Sequence, residues 1–161
     1  MSTDNIFVAS ALNTWNGQIE RAGKAFLALD DRQLAAPIAP GKNRVGYLWA
    51  HLIAVQDAML PLMGIGESAT GDWFETFVKG ADKDVKALPS AAELKKKWDE
   101  VNARTSAAFG KLTPAGWLEK HTAVSAEDFA TTPTRNRLSI LLTRTSHIGY
   151  HLGQVVLAPK G

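Results

Sequence analysis

Cysteine is absent from this chain of 161 residues, and with it go disulfides, thiolate metal ligands and a cysteine nucleophile. A marked excess of charge is lacking too: 18 Lys and Arg against 16 Asp and Glu leave a net +2, too little to draw a polyanion or an acidic membrane surface. Long apolar runs are missing. The most apolar stretch, residues 45–63, is broken by His51, Gln56 and Asp57, so no segment reads as a transmembrane span. The start, Met1-Ser2-Thr3-Asp4-Asn5, has no basic region of the kind that opens a secretory signal. A soluble, cytoplasmic protein without nucleic-acid or membrane partners is expected.

Several catalytic signatures are also missing. Gly64-Ile65-Gly66 lacks the third glycine of a dinucleotide fingerprint, and no Gly-x-Ser-x-Gly elbow occurs. Lys95-Lys96-Lys97 reads as the solvated face of a helix, and Arg135, Arg137 and Arg144 are spread along the last helix rather than gathered in a stripe. There is no internal repeat and no low-complexity tract.

What is present is helical periodicity. A hydrophobic content of 45 % suffices for one core, and the length suits a single domain over residues 1–161. Four segments carry apolar residues three and four apart. The first runs from about Asp4, a candidate N-cap, to Leu29, with Ile6, Val8, Leu12, Trp15, Ile19, Ala22 and Phe26 on its stripe. The second covers about Asn43 to Met63, with Pro61 distorting its last turn and Gly64 ending it. The third opens on the capping box Ser90-Ala91-Ala92-Glu93 and continues to about Leu112. The fourth reaches from about Pro133 to Leu157.

The fold class this predicts is all-α, an antiparallel four-helix bundle with two long connections, about Gly64 to Pro89 and Thr113 to Thr132. Both connections exceed what turning a corner requires. Trp73, Phe74, Trp117 and Phe129 suggest that they pack back on the bundle, where these rings can form an apolar entrance to a site.

The chain has four histidines. His147 and His151 stand four residues apart, so their rings share one helix face. His51 stands at the same edge of the apolar seam on the second helix. A lone inward histidine is commonly a core residue bonded through both nitrogens, and a pair at this spacing is often a surface coincidence. Three of four at equivalent positions on two helices would instead leave several buried nitrogens to satisfy, and they can converge on one metal ion with coordination positions left open. Isoleucine after His147 excludes the metalloprotease motif. Asp57, six residues beyond His51, points well away from it and suits the surface or a supporting role better than ligation. Gln154, three residues after His151, can support the site or bind substrate. His121 lies in the second connection, as an exposed loop residue or as a proton shuttle if that loop covers the metal.

With Leu48-Trp49-Ala50-His51-Leu52 on the second helix and His147-x-x-x-His151-Leu152-Gly153-Gln154 on the last, the chain resembles the DinB/YfiT-like superfamily of metal-binding four-helix bundles over essentially its whole length. The resemblance implies His51, His147 and His151 as metal ligands, nickel or zinc as the divalent transition metal, and a homodimer. It also implies the functions found in such proteins, among them thiol-dependent transfer and isomerisation. A metal on three neutral ligands acidifies a water or polarises a substrate, so an S-transferase using a low-molecular-weight thiol cosubstrate and a hydrolase are both compatible. A non-catalytic protein that sequesters a metal or a toxic small molecule is the alternative. Any metal should leave on acidification near the ordinary histidine pKa of about 6.5.

Overall fold

The computed structural model describes residues 3–158. Four long helical segments form, α1 (Thr3–Phe26), α3 (Val45–Asp57) continued by α4 (Met59–Met63), α5 (Ala91–Phe109) and α8 (Arg137–Val156). Short helices fill the joints: α2 (Asp31–Ala35), α6 (Pro114–Trp117) and α7 (Ala126–Thr131), with a π-helical turn at Glu75–Lys79 and a 3-10 turn at Asp82–Asp84. No strand occurs among the described residues.

Local chemistry sets these limits. Asp4 falls inside the first turn of α1 rather than at its N-cap, where its charge still complements the helix dipole. Helix α1 stops at Phe26 rather than about Leu29, and Asp30 caps α2 in a full capping box with Gln33. The second segment divides at Ala58 because Pro61 has no N–H for the Asp57 carbonyl and its ring crowds that group. Gly64 closes α4 in the left-handed conformation, φ 68°, as a glycine there readily does. Ser90 caps α5 by accepting from the Glu93 N–H. Helix α8 begins four residues later than Pro133 suggested, because Asn136 is its cap and accepts from the Ser139 N–H at 2.9 Å.

The directions of the helices explain the first long connection. Trp49 packs against Trp98, and Asp57 pairs with Arg104, so α3 and α5 run parallel. The N-terminal half of α1 (Val8, Ala11) shares a groove with Leu138 and Leu142, and its C-terminal end (Lys24, Ala25) lines another with Val155 and Val156, so α1 and α8 also run parallel. Between the pairs the sense is opposite: Trp15 meets Phe109 while Phe26 meets Trp98, and Met63 meets Arg137 while His51 meets His147. Two helices point each way. Joining parallel neighbours α3 and α5 requires a crossover along the bundle, and residues 64–90 provide it.

Two buried carboxylates hold that crossover. At one end Asp57, with no exposed surface, accepts from Ser68 Oγ, from the N–H groups of Ala69 and Thr70 and from Thr70 Oγ1, and binds Arg104 at 3.0 Å. At the other, Asp82 takes the Arg44 N–H and guanidinium at 2.6–2.8 Å. Asp57 is thus not a surface group, and it bonds none of the histidines. Burial would raise its pKa, but these hydrogen bonds outweigh that and hold it below its ordinary value.

Helix α3 lies at the centre. Every α3 residue is buried except His51, as befits a helix enclosed on all sides. Trp49 stacks on Phe26 at 5.1 Å, and Trp98 leans on both. Ile6, expected on the α1 stripe, is 51 % exposed instead.

Candidate metal centre

His51, the half-exposed residue of α3, turns toward His147 and His151 on antiparallel α8. The three rings stand at 72–78° to one another with centroids 4.5–5.1 Å apart. Their Nε2 atoms form the hub, 3.2 Å from His51 to His147 and 2.9 Å from His147 to His151.

The outer nitrogens decide what the hub can hold. His51 Nδ1 lies 2.7 Å from the Phe77 carbonyl, which only accepts, so the ring carries its proton there and turns a bare Nε2 inward. Phe77 lies within the π-helical turn Glu75–Lys79 of the crossover, among the last residues, whose carbonyls lack a helical partner. Gln154 Oε1 accepts from His151 Nδ1 at 2.8 Å and fixes the same tautomer. Gln154 thereby fixes the orientation of the His151 ring. His147 Nδ1 is buried without a partner. Whichever tautomer His147 adopts, it can donate at most one proton toward two inward lone pairs, and its own outer nitrogen stays unsatisfied.

A cation at the hub would take all three inward lone pairs, although His147 Nδ1 would stay unpaired. Three nitrogens each about 2.0–2.1 Å from one ion lie about 2.9 Å apart at right angles and about 3.3 Å apart at tetrahedral angles; the observed 2.9 and 3.2 Å fall in that interval. The rings are also kept neutral, as ligation requires. Burial lowers all three pKa values, His147 to about 4, with the neighbouring histidines and the charge of Arg144 pushing His147 the same way. The three histidines can hold a metal ion.

The sequence profile of the DinB superfamily matches residues 15–155, a span that includes every one of these histidines. The chain belongs to the DinB superfamily. No curated protein matches it. The DinB-like layout accounts for the helix-two histidine and the His-x-x-x-His pair, but the Phe77 carbonyl leaves no signal in sequence because any residue supplies that group. Tyr47, 6.5 Å from the His51 ring and hydrogen-bonded to the Gly80 carbonyl, was legible only as the residue one turn before His51.

The remaining site candidates lie elsewhere. His121 packs with Met63, Gly64 and Arg137 at the far end of the bundle; Arg137 precedes His147 by ten residues, about 15 Å along α8. It is buried, not an exposed loop residue, and it does not face the histidine hub. Trp117, buried against Phe109, and Phe129, beside His121, belong to that same end. The second connection stays there because α5 ends and α8 begins there. Only the first connection reaches the hub, with Trp73 edge-on to Phe77 at 5.3 Å. Phe74 lies under the Lys79 ammonium. No helix among the described residues is long and apolar enough to cross a membrane.

Proposed function

We propose that this DinB protein is a metal-dependent enzyme in which His51, His147 and His151 bind one divalent transition metal, nickel or zinc. The convergence of three Nε2 atoms, two of them with tautomers locked from outside, carries the reading. An ion on three neutral ligands supplies Lewis acidity and acidifies a water or a thiol. The chain's own residues orient the ligands: the Phe77 carbonyl holds His51 and Gln154 holds His151. The substrate is a small molecule, and cytoplasmic residence fits the lack of cysteine.

Between the two reactions that suit such a site we favour thiol transfer over hydrolysis, with a low-molecular-weight thiol as cosubstrate. Metal-loaded protein assayed on conjugatable electrophiles with several thiols, beside ester and amide substrates without thiol, should show metal-dependent conjugation. Hydrolysis indifferent to thiol overturns the preference. Saturable binding with no turnover in either assay favours the alternative, a protein that sequesters its ligand.

The homodimer belongs to the same reading. Phe7, Leu118 and Leu142 are 65, 44 and 50 % exposed around one groove between α1 and the start of α8, an apolar face that a second copy can cover. Light scattering at micromolar concentration should give twice the chain mass, and Phe7→Glu with Leu142→Glu should give the monomer. A monomer mass for the wild-type chain over the accessible range removes this element.

A further inference from the structure

Arg144 sits one turn before His147 on the face that carries His147 and His151. It is half-buried, and its Nε is fully buried without a hydrogen-bond partner. The other inward-facing arginines are paired: Arg44 with Asp82, Arg104 with Asp57 and Arg137 with Glu119. Among the described residues Arg144 has no such carboxylate. No acidic side chain joins the three histidines in their cluster either.

A guanidinium cannot relieve this by losing its proton. A buried donor left unpaired is costly, and a divalent ion on three neutral ligands would place further positive charge beside it. An anion at the accessible end of the guanidinium would balance this charge. We propose that Arg144 binds a carboxylate of the small-molecule substrate or thiol cosubstrate, anchoring that molecule with its reacting end toward the three histidine Nε2 atoms. The planar fork of arginine suits a carboxylate, which it can engage through two parallel N–H donors. The placement of the reacting end rests on the metal reading above; the carboxylate contact does not. Burial of Arg144 and its effect on the neighbouring rings agree with a desolvated charge facing the hub.

The test uses the full chain, metal-free and zinc-loaded, titrated calorimetrically with 3-mercaptopropionate and with its methyl ester. The acid should bind zinc-loaded wild type about tenfold or more tightly than the ester, the usual scale for a charge-assisted hydrogen bond. Arg144→Gln should abolish that preference while retaining zinc and the wild-type melting temperature, and Arg144→Lys should keep part of it. Equal affinity for acid and ester in the wild type, or a preference that survives Arg144→Gln, overturns the proposal. If wild type takes up no zinc, the metal reading fails by itself. The acid-over-ester preference of the zinc-free protein, with its presence or absence in Arg144→Gln, then decides the Arg144 contact.

Discussion

Replacing His147 with alanine is expected to reduce metal affinity by more than the roughly 10–100-fold that follows loss of an outer hydrogen-bond partner, and to leave untagged protein almost free of metal after dialysis. His147 bridges the hub, within 2.9 and 3.2 Å of the other two Nε2 atoms, so its removal leaves two ligands on different helices. His51→Ala and His151→Ala should act alike. Gln154→Leu, which removes only the acceptor on His151, should fall in the 10–100-fold range itself. Elemental analysis and competition with a chromophoric chelator measure both, with circular dichroism as the check that the helices persist. Equal occupancy in wild type and all three histidine variants would sink the assignment.

The same measurement across pH has a direction set by burial. The histidine pKa values lie below 6.5, that of His147 at about 4, so protons compete with a metal later than free imidazoles would allow. Metal should stay bound through pH 6.5 and leave as the pH falls toward about 4. The release near 6.5 expected from free histidine is thereby moved to lower pH.

Asp57→Ala should produce the largest loss of stability, on the order of 3–5 kcal/mol, because one partner of a buried ion pair is removed and its donors are left behind. Ser68, Ala69, Thr70 and Arg104 all direct donors at this carboxylate. For a chain of this length the melting temperature should drop by roughly 10 °C. The crossover that positions the Phe77 carbonyl on His51 would loosen as well, so metal affinity should fall although Asp57 touches no histidine. Urea titration of metal-free protein checks the first effect; an unchanged midpoint would mean that the carboxylate does not hold the connection.

Acid should separate two contributions to stability. Below pH 6.5 the unfolded chain takes up histidine protons that the buried rings refuse, so stability falls with pH until the folded values are reached, about 4 for His147. Asp57, depressed in the fold, stabilises above the unfolded carboxylate value of about 3.9 and loses its contribution as pH falls through its lower folded value. Asp57→Asn should remove the second phase and leave the first.

Sequence by itself determined the helices and the ligand candidates, because both rest on short-range repetition. The spacing of Val8, Leu12, Trp15 and Phe26 makes one face of α1 wherever that helix is placed, and four residues between His147 and His151 align their rings in any helix. Tertiary structure decided everything that depends on distant segments meeting. Asp57 was directed away from His51 by its own helix, but its purpose came from residues 68–70 and from Arg104, which no local pattern links to it. His121 and Trp117 had aromatic and titratable chemistry suited to an active site, and the end of the bundle where α5 stops and α8 starts took them elsewhere. Arg144 read as one dispersed charge among several until packing withheld a carboxylate from it. Periodicity fixes which way a side chain points from its own axis; only the directions of α3, α5 and α8, and the crossover those directions require, fix what it meets there.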